Sequence, residues 1–136
     1  MNQTLLFRFY KLLSSPAAQA AGFIIGGLII SLATLLPAES LPPAPGGDKL
    51  HHVIGFGGWA LMCAFGPFKR FVYMALFVIF WGGVIELIQP YVNRYGEWLD
   101  FYADAFGALL VLITRFGIDT FISKKRTDIN KNSTKK

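Results

Sequence analysis

Charge is scarce in this sequence, cysteine is nearly absent, and the polar residues that remain are bunched. Charged side chains make up 15% of the 136 residues and hydrophobic ones 54%, against about 25% and roughly 45–50% in ordinary soluble domains. A water-soluble domain of this size has too little interior to hide 13 Phe and the accompanying Leu and Ile, so lipid is the expected surrounding. The single cysteine, Cys63, lies in an apolar stretch. That excludes an intramolecular disulfide and a thiolate metal cluster, and predicts a small packed side chain. No H-E-x-x-H, G-x-S-x-G or phosphate-binding glycine loop occurs, so the strong hydrolase and nucleotide-binding signatures are missing. The formal charge of +5 does not indicate nucleic acid, because no basic face with interleaved aromatics is present. Lys124, Lys125, Arg126, Lys131, Lys135 and Lys136 sit in a polar tail, and the other cations flank apolar segments.

A hydrocarbon core ~30 Å thick takes about 20 largely apolar residues as a helix. Four stretches approach this: 17–36, 48–65, 70–89 and 99–116. The last is the most polar, with Asp100, Asp104 and Arg115 in its span. The uncharged run from Leu12 to Ala38 is far longer than the ~7–15 apolar residues of a cleavable signal, so it is expected to stay attached. Pro37, Pro42, Pro43, Pro45, Gly46 and Gly47 form a stiff turn after the first stretch; Gly66-Pro67 separates the second from the third, and Pro90 ends the third. Links this short make sequential neighbours antiparallel. The expected fold is therefore an all-α membrane protein, a four-helix up-down-up-down transmembrane bundle spanning 17–118.

Residues 1–16 are expected on the cytoplasmic side, either as a short interfacial helix or as a frayed terminus. Residues 119–136 read as a basic, disordered cytoplasmic tail. Arg8, Lys11, Lys69, Arg70, Arg115 and the tail cations fall on one side of the spans, with only Lys49 and Arg94 on the other. The excess of Lys and Arg marks the cytoplasmic side, placing both termini inside and the Pro-rich loop outside. The acids run the opposite way: Glu39, Asp48, Glu86, Glu97, Asp100 and Asp104 all lie toward the outer end. In the first span Ala18, Gly22 and Gly26 recur every four residues, a small-residue row that lets helix backbones approach closely.

The outer polar residues carry the functional question, because ionisable groups inside a membrane are costly and mark sites. Asp48 and His52 are four apart and share one helix face, with Lys49 beside them. Asp100 and Asp104 repeat that spacing in the fourth span, and Gly107 continues the same face. Glu86 and Gln89 stand three apart near the end of the third span, and Arg94 lies in the loop that follows. With Glu97 set aside as a solvated loop charge, at most two cations face the five acids Glu39, Asp48, Glu86, Asp100 and Asp104. That imbalance calls for a bound cation, a neutral carboxyl or a charged His52. Against a site stands a structural network, in which Asp48–Lys49 and Asp100–Arg94 ion pairs lock the loops. Such contacts bring only ~0.6 kcal/mol on average between membrane helices, an inefficient use of so many charges.

These residues also carry a family resemblance over 48–107. Asp48-Lys49-Leu50-His51-His52 resembles the D-K-x-x-H opening of the VanZ-like family, named after a teicoplanin-resistance membrane protein. Glu86-Leu87-Ile88-Gln89 is similar to its E-x-x-Q, and Arg94 followed by Asp100 to its R-x5-D. Asp100 through Gly107 resembles its D-x-x-A-N-x-x-G, except that Asp104 stands where the family has Asn; Val111 replaces a frequent second glycine, and only His52 matches the family histidine. The resemblance implies a bacterial inner-membrane protein of the cell envelope, with an effect on glycopeptide or lipoglycopeptide susceptibility.

Two functional readings follow. In the first, the protein is not an enzyme. It binds a lipid-linked cell-wall precursor or another anionic lipid head group at the outer face, through Asp48, Lys49, His52, Glu86, Gln89, Arg94, Asp100 and Asp104. In the second, His52, Glu86, Asp100 and Asp104 hold a divalent cation that acts on a phospholipid or polyprenyl-phosphate head group. A proton or ion path is disfavoured, because the inner halves of the spans offer almost no polar groups to continue it.

Overall fold

The computed structural model describes residues 3–37 and 47–133. Glu39, Pro42, Pro43, Pro45, Gly46, Lys135 and Lys136 lie outside the described residues. Within them the regular structure is helical: α1 (Gln3–Leu13), α2 (Pro16–Leu35), α3 (Asp48–Cys63), α4 (Phe68–Ile88), a 3-10 turn (Gln89–Val92) and α5 (Trp98–Ser133). Three segments are long and apolar enough to cross a membrane: Pro16–Leu35, Phe68–Val92 and Trp98–Ser133.

Local chemistry sets the boundaries. Ser15 caps α2, its hydroxyl oxygen accepting from the Ala18 N–H at 3.2 Å, and Pro16 occupies the first turn where no N–H is needed. Leu36 leaves the helical region (ψ 147°) because Pro37 follows it. At Pro67 the chain breaks again, so α3 stops at Cys63, two residues before the expected 65, and α4 begins at Phe68. Pro90 tightens the end of α4 into the 3-10 turn. Asn93 closes that turn in the left-handed region (φ 57°), which Asn tolerates better than most residues.

The fourth apolar stretch runs well past its expected end. α5 continues through 119–133, where a disordered tail was expected, and its 36 residues make a rod of about 54 Å. No proline or glycine follows Gly117 to stop it. Arg115 pairs with Asp119 at 3.1 Å one turn on, and Lys124, Lys125 and Arg126 are good helix formers.

The core gathers around α3, which packs on α2, α4 and most extensively α5. Phe56, Trp59, Ala60 and Cys63 of α3 bury with Phe71, Ala75, Val78 and Ile85 of α4 and Ala108 of α5. The small-residue row of α2 serves this packing: Gly22 faces Met62, and Gly26 lies against the Trp59 ring, whose Nε1–H donates to the Phe23 carbonyl at 2.8 Å. The outward faces of α2, α4 and the first part of α5 are largely apolar. Ile24, Ile25, Leu28, Phe80, Leu110 and Ile113 are all exposed, as lipid-facing side chains would be. α1 likewise exposes Leu5, Leu6, Phe7, Phe9 and Leu12, so the N-terminal segment takes the helical of its two expected forms.

Candidate functional site

Two glycines bring the polar faces of α3 and α5 together. Gly57 and Gly107 meet so closely that a Cβ at Gly107 would collide with the Val53 carbonyl oxygen and sit 3.0 Å from the Gly57 nitrogen. Asp104 lies one turn before Gly107, and His52 just over one turn before Gly57. The close crossing therefore sets His52 Nδ1 2.8 Å from Asp104 Oδ1. With Asp104 ionised, the carboxylate can only accept and Nδ1 would carry the hydrogen; Nε2 turns the other way. Nε2 lies 3.7 Å from Asp100 Oδ2 and 4.0 Å from Asp48 Oδ1.

Around this imidazole the other groups form a shell. Lys49 Nζ pairs with Asp100 Oδ1 and with Glu97 Oε2, the latter at 2.7 Å, and lies 3.9 Å from Asp48 Oδ2. Glu86 on α4 accepts the Glu97 N–H through Oε2 at 2.7 Å. That bond exists because Gly96 lays the loop directly on the Glu86 carbonyl, where a Cβ would not fit. Gly82, one turn before Glu86, leaves the space that Asp104 fills: a Cβ there would stand 2.9 Å from Asp104 Oδ2. Two carboxylate oxygens in this buried shell, Glu86 Oε1 and Asp104 Oδ2, have no hydrogen-bond partner.

Of the residues singled out in the sequence, Asp48, Lys49, His52, Glu86, Asp100 and Asp104 converge. Gln89 and Arg94 point elsewhere and tie α2 to the loop. Gln89 Nε2 donates to the Thr34 carbonyl at 3.2 Å, and Arg94 donates to the Leu36 carbonyl at 3.4 Å. Asp100 thus pairs with Lys49 and not with Arg94, the partner that a purely structural network would have given it. Glu97, set aside as a solvated charge, belongs to the cluster. A glycine immediately before an acid, after a proline-turned reversal from Glu86, was the available signal for it.

The electrostatic character is acidic. Asp48, Glu86, Glu97, Asp100 and Asp104 gather around one lysine and one imidazole. His52, Glu86, Asp100 and Asp104 are at most 7% exposed, while Asp48 opens to the surroundings with its side chain 66% exposed. Two groups of three side chains bring one ligand atom each within 4.8 Å of one another: Asp48 with His52 and Asp100, and His52 with Glu86 and Asp104. A buried carboxylate oxygen without a partner carries a desolvation cost that a purely structural network would avoid. A mixed carboxylate–imidazole set suits a divalent cation, and its open side suits a ligand arriving at the end of the helices. No protein-family model matches the chain, and neither a curated protein nor a solved structure matches it.

Proposed function

We propose that the chain is a multi-pass protein of a bacterial cytoplasmic membrane, of the VanZ-like type, and that the cluster at one end of α3, α4 and α5 binds the anionic head group of a lipid-linked envelope molecule. α2 to α5 form a four-helix transmembrane bundle with both termini inside. α3 contributes the fourth span although it is short, because its partners flank it on most sides. The excess of Lys and Arg toward the termini supports that orientation. Exposed Tyr91, Tyr95, Trp98 and Tyr102 near the cluster support a position at head-group depth, where amphipathic rings collect. An effect on glycopeptide or lipoglycopeptide susceptibility would follow if the bound molecule is a cell-wall precursor.

One observation carries the binding reading: Glu86 Oε1 and Asp104 Oδ2 are buried beside His52 without a partner. Gln19, Arg70 and Gln89 also leave a buried polar atom without a partner, but among the described residues only here do two such carboxylate oxygens adjoin an imidazole and further acids, a set suited to a cation that would in turn receive the anionic group. The metal-dependent enzyme remains the second reading, favoured by the two three-residue groups centred on His52.

The test is native mass spectrometry on protein gently extracted from a bacterial membrane. Wild type is expected to retain an anionic lipid that His52→Ala loses and that Gln19→Ala, near the other end of α2, keeps. Equal retention in all three proteins would remove the head group from this site.

A further inference from the structure

A cluster in which carboxylates outnumber cations is a poor receptor for an anion by itself. Lys49 is engaged by Asp100 and Glu97, and Arg94 by the Leu36 carbonyl. We propose that Asp48, His52 and Asp100 hold a divalent metal cation of the Mn²⁺ or Zn²⁺ class, and that this cation receives the anionic group. The inference rests on the reading of the cluster as a binding site and names what makes it able to bind.

The geometry is that of a metal-binding imidazole held from behind. His52 gives its Nδ1 side to Asp104 at 2.8 Å, which fixes the ring and leaves Nε2 toward Asp48 and Asp100. A carboxylate on the far nitrogen is the usual support of a metal-ligating histidine. Bonds of ~2.0–2.2 Å from a metal to N and O donors can be reached from the 3.7 and 4.0 Å separations by small side-chain shifts. Asp100 divides its oxygens cleanly, Oδ1 to Lys49 and Oδ2 to the His52 side. Asp48, exposed, leaves one flank open for water or a phosphoryl oxygen, as an exchangeable coordination position requires.

Next to these three ligands are buried oxygens without a partner, on Glu86, 5% exposed, and on Asp104, fully buried. Both belong to the adjoining group around His52 and add negative potential beneath the cation. The imidazole ligand argues for Mn²⁺ or Zn²⁺ over Mg²⁺, which prefers oxygen donors and retained water.

The experiment titrates Mn²⁺ and Zn²⁺ calorimetrically into chelator-stripped, full-length protein in phosphatidylcholine nanodiscs. One saturable cation per chain is expected. Asp48→Asn, at an exposed position that does not threaten folding, should weaken binding by at least about 10-fold. Asp104→Asn, which acts through His52, should weaken it by ~10–100-fold with stoichiometry retained. Arg94→Ala should leave it unchanged. Absence of saturable binding for either metal, or equal binding by wild type, His52→Ala and Asp48→Asn, would overturn the proposal.

A second arm separates the two readings by adding phosphatidylglycerol to the nanodiscs with metal or with chelator. Retention of the anionic lipid only with metal supports both. Retention unchanged by chelator overturns the cation as receiver and leaves the head-group reading. A bound cation with no lipid preference overturns the head-group reading and leaves the cation site.

Discussion

Gly107→Ala is the sharpest structural perturbation available, because it acts on the crossing that assembles the cluster. The added Cβ would collide with the Val53 carbonyl oxygen and lie 3.0 Å from both the Val53 carbonyl carbon and the Gly57 nitrogen. All three are backbone atoms and cannot rotate away. Restoring ordinary C···O contact of ~3.3–3.6 Å needs a local separation of α3 and α5 by roughly 1 Å. Overpacking of this kind costs ~1–3 kcal/mol, offset by ~0.8–1 kcal/mol from replacing glycine with alanine in a helix. The separation also stretches the His52–Asp104 bond, losing a further ~0.6 kcal/mol if it is an average interhelical contact. The net expectation is destabilisation by about 0.6–2.8 kcal/mol. Gly58→Ala on α3 is the matched control, with nothing within 4 Å of its added Cβ. It should gain up to ~1 kcal/mol from propensity alone. Reversible chemical unfolding in micelles, followed by circular dichroism, reads both variants. Gly107→Ala as stable as Gly58→Ala would refute the argument that this close crossing holds the site.

Three further outcomes follow from single contacts. Lys49→Ala leaves the nearly buried Asp100 without its cation and should cost ~1–3 kcal/mol, toward and below the lower end for breaking a buried pair because Lys49 is half-exposed; adding Asp100→Asn should recover part of the loss in the same unfolding assay. Gly96→Ala should displace the loop from the Glu86 carbonyl and break the 2.7 Å Glu97 N–H bond to Glu86; faster hydrogen exchange at the Glu97 amide would report it. Arg115→Ala removes a guanidinium that donates to the Ala64 carbonyl at 2.6 Å and to the Gly66 carbonyl at 3.4 Å, freeing the end of α3. The expected loss is ~1–3 kcal/mol, measured by the same unfolding.

Much of this arrangement was legible in the sequence because it rests on spacing. The four-residue steps Asp48–His52 and Asp100–Asp104 put each pair on one helix face, which Gly107 continues; that the helices touch at Gly107 needed the fold. The proline and glycine breaks located the helix ends to within a few residues. Partner choice was not legible. Which cation reaches Asp100 depends on loop geometry, and the 3-10 turn and left-handed Asn93 carry Arg94 toward Leu36. Glu97 was hidden for the same reason, since only the folded loop brings its amide onto Glu86. The helix through 119–133 was missed because polar composition alone does not distinguish a solvated helix from a coil. The roles of Gly82 and Gly96 needed three-dimensional packing to appear at all.

The central claim is that the buried carboxylates exist to bind and not to lock the helices. The most direct measurement is the unfolding free energy of the isosteric variant Glu86→Gln/Asp104→Asn beside wild type, with chelator and with saturating Mn²⁺ or Zn²⁺. In chelator the variant is expected to be as stable as wild type or more so, because two acids with unpartnered buried oxygens become neutral amides. Cation at a concentration 100 times its dissociation constant is expected to stabilise wild type by about 2.7 kcal/mol, and the variant far less. A variant several kcal/mol weaker than wild type in chelator, with no effect of cation on either protein, would make the cluster a structural lock and contradict the account.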